Sequence, residues 1–402
     1  MNPDTLLLTT LWSAVIISLG GLVMTIINLR VFRPAGPPAA ATDAGHDAEL
    51  VSVCVPARNE EANLEACVRG LLASGHRALE VLVYDDASDD ATPRILTTLA
   101  AADPRVRAAP TRPLPAGWNG KQHACWRMAA VARGRWLLFT DADVRFAPDC
   151  IGRAVAEAGR LNAPLLSTFP RQEMGTFGER LLVPMIFFIL LSYLPFPRMR
   201  RTNDASASAG CGQFLLVRRD AYDASGGHER FKDSMHDGIK LPRAVRRAGF
   251  HSDLFDGTDL VSCRMYKGLG ATWRGFAKNA FEGLGSVPLL LFITILHLVG
   301  HVWPWVYLPL VAASALGLPV DAALSPVPLA LAAASIVLQL TSRLLIARRV
   351  HHPIAPIALH PVSVLGMTLV QWHSLYLSLT GRRSWRGRRL EADLPAPGGA
   401  VG

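Results

Sequence analysis

The feature that most constrains this chain is an apolar run, 137–139, that ends in the carboxylate pair Asp141 and Asp143. A buried strand with this ending places two oxygen ligands at the carboxyl edge of a sheet, where open α/β sheets bind their ligands. Hard divalent cations such as Mg²⁺ or Mn²⁺ are usually held by one or two carboxylates together with phosphates of the substrate. The run therefore predicts an α/β sheet with Asp141 and Asp143 as ligands of a divalent metal.

Two apolar runs further upstream, 50–55 and 81–84, end in polar residues in the same way. Because the carboxyl ends of parallel strands meet at one edge, three such strands would outline one nucleotide pocket. The candidates for nucleotide contacts on these two runs are Pro56, Arg58, Glu60, Asp85 and Asp86.

Strands and helical stretches alternate from Leu50 onward. The predicted strands cover 50–55, 80–84 and 136–140, and the predicted helices begin near Glu60 and cover 92–102 and 122–132. This alternation is typical of a doubly wound α/β fold with a largely parallel sheet.

A sugar nucleotide is the substrate whose chemistry matches these residues. Its diphosphate leaves as an anion, which a divalent metal held by Asp141 and Asp143 could neutralise. Asp85 or Asp86 could accept hydrogen bonds from uracil N3–H or ribose hydroxyls, and Lys121 could add a positive charge at the nucleotide. A single aspartate is often only a helix cap or a turn residue, but two carboxylate-ended strands in one chain favour the pocket.

The composition points to a membrane rather than to nucleic acid. Half of the residues are hydrophobic, the net charge is +9, and the arginines cluster beside apolar segments. This arrangement favours attraction to anionic lipid headgroups. The six cysteines form no Cys-x-x-Cys pair, so neither a disulfide framework nor a zinc site is indicated.

Residues 5–29 carry no charge and are long enough to cross a hydrocarbon core of about 30 Å. No basic region precedes this run and no small-residue cleavage pattern follows it, so we expect a retained anchor. Asp4 precedes the run while Arg30 and Arg33 follow it, and the positive-inside rule then places residue 30 onward in the cytoplasm. We expect a multi-pass protein of the inner membrane whose catalytic domain faces the cytoplasm.

The apolar segment 181–196 is too short to span a membrane and contains two prolines. It is interpreted as a helix that dips into the cytoplasmic leaflet, with a plain core helix as the alternative. The predicted organisation is an anchor at 1–32, a linker at 33–49, a cytoplasmic domain at 50–285, a membrane region at 286–381 and a tail at 382–402.

The number of membrane crossings in the last third of the chain stays open. Residues 287–317 form one kinked span or a broken pair, and 326–342 form a further span that ends at Arg343. Residues 354–380 are also uncharged and precede a basic tail. Both basic clusters should be cytoplasmic, which requires either a re-entrant 354–380 or a span count other than one within 287–317.

The motifs jointly resemble the family 2 glycosyltransferases of GT-A fold, in the same order and spacing, over roughly residues 50–280. The segments that carry this resemblance are 56–61, 85–89, 141–143, 208–214, 217–219 and 226–229. The membrane-anchored plan, with segments 117–121 and 178–184, is most similar to bacterial hopanoid-associated and carotenoid glycosyltransferases, and more distantly to ceramide glucosyltransferase.

The resemblance implies roles for several of the candidates. Asp85 and Asp86 would bind the uridine, Asp143 the metal, and Asp141 would lie near the ribose and phosphate. The segment 210–212 would form the wall against which the acceptor hydroxyl is placed. Processive relatives cover the diphosphate with a Gln-x-x-Arg-Trp motif, which is absent from this sequence; Arg264, with Trp385 and Arg386, is the expected substitute.

The catalytic base implied by the resemblance is Asp237, which would take the acceptor's proton during an inverting transfer. Many relatives carry an acidic residue just before this base, whereas this chain has His236. Asp233 is the reserve candidate for the base. His236 either takes part in the chemistry or only caps the helix that follows.

The sequence therefore predicts a membrane-anchored, metal-dependent, inverting glycosyltransferase that moves a sugar from a UDP-linked donor to a lipid-like acceptor. The alternatives are a processive polysaccharide synthase and a catalytically silent membrane module that binds nucleotide sugars. A transporter is disfavoured because no charged residue is expected inside the long apolar spans.

Overall fold

The computed structural model describes residues 2–37, 49–316, 325–385 and 388–389 of the chain. It divides into two compact units, which we call the helical unit and the sheet unit. The helical unit comprises Met1–Val31, Met174–Pro195 and Tyr266–Tyr376, and the sheet unit comprises Phe32–Glu173, Phe196–Met265 and Leu377–Gly402. The predicted division at residues 32, 49, 285 and 381 stays a prediction.

The strands are short, as is usual for α/β proteins. They are β1 Val51–Ala57, β2 Leu79–Asp85, β3 Val106–Ala108, β4 Trp136–Phe139, β5 Val144–Phe146, β6 Leu165–Ser167, β7 Arg171–Gln172, β8 Leu215–Arg218, β9 Ser252–Leu254, β10 Val261–Cys263, β11 Ser384–Trp385 and β12 Arg388–Arg389.

The helices range from single turns to membrane-spanning lengths. They are α1 Pro3–Val31, α2 Leu64–Leu72, α3 Thr92–Ala102, α4 Gly120–Val131, α5 Cys150–Arg160, α6 Phe177–Leu182, α7 Met185–Tyr193, α8 Phe196–Arg201, α9 Arg219–Ala224, α10 Asp237–Arg247, α11 Leu269–Ala277, α12 Ala280–Leu284, α13 Val287–His297, α14 Trp303–Ala315, α15 Pro326–Arg349 and α16 His360–Leu379.

The main sheet has the order β3-β2-β1-β4-β8-β6-β9. The first four strands are parallel, β8 runs antiparallel to both β4 and β6, and β9 is parallel to β6. Every residue of β1 is buried, because helices cover both faces of the sheet and leave it no contact with water. The predicted α/β fold with a mostly parallel sheet is confirmed.

Helices supply a separate apolar core on each face of this sheet. Leu64 and Leu71 of α2 pack on one face, while Met128 of α4 and Leu241 of α10 pack on the other. The helix predicted from near Glu60 begins four residues later, because the main-chain carbonyl of that residue first closes a turn with the amides of residues 63 and 64. A second sheet has the order β5-β10-β7, and its strand β5 is the next strand after β4 in the chain.

The helical unit contains three helices that are long and apolar enough to cross a membrane. They cover Pro3–Val31, Val287–Ala315 and Pro326–Arg349. The second consists of α13 and α14 joined by a π-helical turn over 298–302, so the predicted kinked span is one continuous helix. Helix α16 is not among the three.

The structure defines the apolar segment 181–196 and the end of the last predicted span more closely than the sequence. Helix α7, within the segment 181–196, is mostly buried, and its Ser192 lies 3.0 Å from Thr25 of α1 between hydroxyl oxygens. Helix α15 does not end at Arg343 but continues to Arg349, because four apolar residues follow Arg343 directly. The expectation of uncharged spans is therefore wrong, since Arg343 lies inside the helix.

Candidate active site

The three predicted polar strand endings lie at one edge of the main sheet. Strands β2, β1 and β4 are adjacent and parallel, so their carboxyl ends point in the same direction. The amide of Asp86 donates to the carbonyl of Ala57 at 2.8 Å, and the amide of Thr140 donates to the carbonyl of Cys54 at 3.2 Å. These bonds extend the pairing of the strands up to the first polar side chains.

Asp85 and Asp86 differ in what their carboxylates do. Asp85 accepts from the amide and the hydroxyl of Ser88, at 3.3 and 2.5 Å, and so fixes the turn after β2. Asp86 is buried, with the Arg58 guanidinium 4.0 Å from its carboxylate. Arg58 also donates to the carbonyls of Asp86 and Ala87, which ties the ends of β1 and β2 together.

Pro56 and Glu60 also lie at this edge. Pro56 is buried within β1, and Glu60, in the turn after it, is 7% exposed. The Glu60 carboxylate accepts from the Asn63 side chain at 2.9 Å, and its own amide donates to the hydroxyl of Thr92 at 2.8 Å. Glu60 therefore adds a second buried carboxylate, beside that of Asp86, after the end of β1.

Lys121 bridges the two carboxylates that the sequence assigns to the donor side and to the base. Its ammonium nitrogen lies 2.7 Å from Asp141 Oδ1 and 2.9 Å from Asp237 Oδ2. Asn119 caps helix α4 by accepting from the Lys121 amide at 2.9 Å, which fixes the start of the helix that carries this lysine. Burial alone would lower the pKa of Lys121, but the carboxylates of Asp141 and Asp237 raise it well above its usual value.

Asp237 is the first residue of α10, and two glycines allow the start of this helix to approach the segment 210–212 closely. A Cβ atom at Gly212 would collide with the Asp237 carboxylate, and one at Gly238 would lie 2.6 Å from the carbonyl oxygen of Gly210. Burial would raise the pKa of Asp237, but the Lys121 ammonium outweighs this and lowers it. Asp237 is therefore an ionised carboxylate held directly against the predicted wall at 210–212.

Asp233 and His236 were the other candidates near the base. Asp233 is exposed, whereas Asp237 is 5% exposed. His236 precedes the helix, and its main-chain carbonyl accepts from the amides of Ile239 and Lys240 at 3.2 and 3.0 Å. It thus caps α10 through its backbone.

The residues present fit a divalent cation at Asp141 and Asp143. The Oδ1 atom of Asp143 is buried and has no hydrogen-bond partner among the described residues. Burial and the neighbouring carboxylates of Asp141 and Glu60 raise the pKa of Asp143 to about 7. A carboxylate in these surroundings is stabilised by a nearby cation. Because the described residues contain no group of three or more His, Cys, Asp or Glu side chains that could hold a metal, further ligands would come from the substrate.

Arg264 follows β10 and is exposed. The antiparallel register pairs Cys263 with Val144, so the next position along β10 lies opposite Asp143. Trp385 belongs to β11, and Arg386 lies outside the described residues.

Sequence reasoning missed an aromatic cluster beside Asp86. The rings of Trp118 and Trp126 lie 5.2 Å apart, and His123 packs against Trp118 and Tyr84 at 5.5 and 5.9 Å. Burial lowers the pKa of His123, and its Nδ1 atom has no partner within the described chain. The spacing of His123 and Trp126, three residues apart on α4, was the available signal.

The architecture of this chain is the GT-A fold. A mannosyltransferase from Pyrobaculum calidifontis, solved with GDP-Man and Mn²⁺, has the same fold: the TM-score is 0.52 at 18% identity, over 90% of this chain and 99% of that one. Residues 52–226 match the family model described as glycosyl transferase family 2. This similarity covers the part of the chain that contains strands β1, β2 and β4.

Two relatives illustrate how far the similarity extends. The 4,4'-diaponeurosporenoate glycosyltransferase of Staphylococcus haemolyticus is 26% identical over 260 residues, which cover 64% of this chain and 68% of that protein. The glycosyltransferase AglD of Haloferax volcanii is 38% identical over 112 residues, which cover 27% of this chain and 17% of AglD.

Proposed function

We propose that this protein transfers a sugar, with inversion, from a nucleoside diphosphate sugar to the hydroxyl of a lipid-like acceptor in a membrane. The observation that carries the proposal is the Lys121 bridge. One ammonium contacts Asp141 at 2.7 Å and Asp237 at 2.9 Å, so the donor-side carboxylate and the base candidate lie within the reach of one side chain. An in-line transfer at an anomeric carbon requires the base and the group that contacts the leaving diphosphate to lie close together.

In the proposed mechanism Asp237 accepts the proton of the acceptor hydroxyl while that oxygen attacks the anomeric carbon. Gly212 has no side chain, which lets the Asp237 carboxylate lie directly against the segment 210–212, where the acceptor would stand. Asp86 and Arg58 hold the nucleoside end. A divalent cation held by Asp141 and Asp143 would neutralise the charge that develops on the departing diphosphate.

Lys121 has a second role in this scheme. Its ammonium keeps Asp237 ionised and occupies the space between the two carboxylates. When the diphosphate of the donor binds, Lys121 would turn toward it as a point charge, and Asp237 would be released to accept a proton.

The lipid-like acceptor is supported by the three long apolar helices. The staphylococcal relative's name identifies a diaponeurosporenoate as the molecule that it glycosylates. We propose a uridine donor for this chain, with a guanosine donor as the alternative because the Pyrobaculum structure contains GDP-Man.

We further propose that the sheet unit faces the cytoplasm at the inner membrane. Arg30 and Arg33 follow the first apolar helix, and Arg348 and Arg349 end the third. With three crossings and a re-entrant α16, both basic ends and the basic tail would lie on the same side, as the positive-inside rule requires.

The test is a donor screen on the full chain in lipid nanodiscs. Release of nucleoside diphosphate is followed for UDP- and GDP-sugars with Mg²⁺ or Mn²⁺, with and without a total lipid extract. Release that needs both the metal and the lipid supports the proposal and identifies the donor. Donor binding without release under every lipid would contradict it and favour a silent binding module, and a polymeric product would favour a processive synthase.

A further inference from the structure

The helical unit contains a buried cation without a carboxylate partner among the residues that the structure describes. Arg343 of α15 is 4% exposed. Its guanidinium donates to the thioether sulfur of Met185 at 2.7 Å, and its central carbon lies 5.7 Å from the ring centre of Phe188. A sulfur atom and an aromatic face replace little of the hydration that a guanidinium loses on burial, and a lone buried charge is costly.

Histidine side chains surround the same aromatic ring. The rings of His301 and His360 lie 5.3 and 5.1 Å from that of Phe188, and a hydrogen bond of 3.1 Å joins His360 Nε2 to His301 Nδ1. His352 packs against the ring of Phe187, with 5.2 Å between the ring centres, and both His352 and His360 interact electrostatically with Arg343. Nδ1 of His360 and Nε2 of His352 are buried and have no hydrogen-bond partner in the described part of the chain. The cluster thus combines an unpaired positive charge with two unsatisfied ring nitrogens that can donate.

This chemistry favours an anion over a metal ion. Nowhere in the described ranges do three or more His, Cys, Asp or Glu side chains form a group that could hold a metal. The guanidinium of Arg343 repels cations, whereas its planar fork of N–H groups matches the oxygens of phosphate or carboxylate.

The position of Arg343 along its helix indicates where such an anion would lie. It is six residues from the end of α15 at Arg349, which corresponds to about 9 Å along the helix axis. If the basic helix end is at the membrane surface, this depth is close to the boundary between headgroups and acyl chains. Ionisable residues within membrane segments are rare and usually functional, so Arg343 is a candidate for a binding site.

We propose that Arg343, together with His352 and His360, binds the phosphate group of a membrane lipid. A phosphate group supplies the negative charge that pairs with the Arg343 guanidinium, and it accepts hydrogen bonds from the unsatisfied histidine nitrogens. Inorganic phosphate shares this chemistry but has no acyl chains to hold it in the apolar surroundings. The proposal requires that the helical unit lie in a membrane, but not that the sheet unit transfer sugar.

The test uses the full chain in a maltoside detergent, which contains no phosphate. Dioleoylphosphatidic acid, dioleoylglycerol and inorganic phosphate are titrated separately, and binding is read by native mass spectrometry together with the melting temperature. We expect phosphatidic acid to bind and to raise the melting temperature, while dioleoylglycerol, which differs only by the phosphate, has little effect.

Two substitutions on the same helix separate this site from general attraction to charge. Arg343→Met should weaken binding of phosphatidic acid about tenfold or more, because hydrogen bonds to a charged group are lost. It should also raise the melting temperature in lipid-free detergent, because the unpaired charge is removed. Arg348→Met is the matched control, since Arg348 is exposed on the same helix, and it should leave the affinity within about twofold.

Several results would overturn the proposal. An unchanged affinity of Arg343→Met would exclude Arg343 from lipid binding, and equal binding of dioleoylglycerol would exclude the phosphate as the recognised group. Inorganic phosphate binding as tightly as phosphatidic acid would reassign the site to the free ion. If Arg343→Met does not fold, Arg343→Lys keeps the charge without the fork, and an affinity equal to that of the unsubstituted chain would then be the contradicting result.

Discussion

Two shielded cations, Lys121 in the sheet unit and Arg343 in the helical unit, have opposite kinds of partners. In the sheet unit Lys121 lies 2.7 and 2.9 Å from two carboxylates. In the helical unit the nearest partners of Arg343 are a thioether sulfur and an aromatic ring. The first arrangement includes its own anions, whereas the second has no carboxylate partner among the residues that the structure describes. The comparison teaches that the two cations indicate different functions. The ion pairs of Lys121 position carboxylates for the proposed reaction, whereas the missing carboxylate at Arg343 indicates a binding site for an anion.

The largest effect is expected from removing the proposed base in the sheet unit. Asp237→Asn should lower the rate of transfer by about a thousandfold, because the amide cannot accept the acceptor's proton. Metal-dependent donor binding, measured by calorimetry, should remain within a few fold of the unsubstituted chain. Asp233→Asn is the control and should leave transfer unchanged. Normal turnover by Asp237→Asn would remove this residue from the chemistry.

The comparison of the two cations is sharpened by making the same substitution in both units. Lys121→Met leaves Asp141 and Asp237 without their shared ammonium and should destabilise the metal-free protein by about 3 kcal/mol. Arg343→Met should act in the opposite direction, as argued above. Thermal unfolding of both variants in one detergent checks the signs. Added Mn²⁺ should restore part of the stability that Lys121→Met loses, since a metal neutralises Asp141. If both substitutions changed the melting temperature in the same direction, the comparison of the two cations would be contradicted.

A smaller effect is expected from replacing the proposed metal ligand alone. Asp143→Asn removes one of two carboxylates and should weaken Mn²⁺-dependent donor binding about tenfold or more, or roughly 1.4 kcal/mol. Donor binding in the presence of a chelator should change little, which gives the matched measurement. The assignment of Asp143 fails if the Mn²⁺ dependence survives in this variant.

The smallest effect concerns pH. Burial raises the pKa of Asp143 to about 7, whereas an aspartate in an unfolded chain ionises near about 3.9. Between these values the folded protein holds a proton that the unfolded chain has lost, so the stability contributed by this group falls as the pH rises from about 4 to 7. The melting temperature of the metal-free protein should therefore fall across this window. Asp143→Asn should reduce the fall, and an identical pH profile would contradict the cause given.

The sequence predicted the sheet and its polar edge well, because both depend on local patterns. An apolar run followed by Asp141 and Asp143 indicates a buried strand and a polar ending without knowledge of any distant residue. Helix α3 was predicted over 92–102 and is observed over the same residues.

The rest depends on contacts between residues far apart in the chain. Lys121 and Asp237 are joined only because α4 and α10 pack on the same face of the sheet. Arg343 was placed at a helix end by its charge, whereas the apolar residues after it continue the helix and bury it. Charge alone in a sequence cannot indicate whether a partner is present.

The central claim is that the carboxylate edge transfers sugar to a lipid, and product analysis tests it most directly. The full chain in nanodiscs is incubated with an isotopically labelled UDP-sugar, Mn²⁺ and lipid extract, and the extracted lipids are analysed by mass spectrometry and NMR. The account predicts a lipid heavier by one sugar, with the anomeric configuration opposite to that of the donor and no product after Asp237→Asn. Label found only in water-soluble sugar or in a polymer, or retained configuration on the lipid, would contradict it.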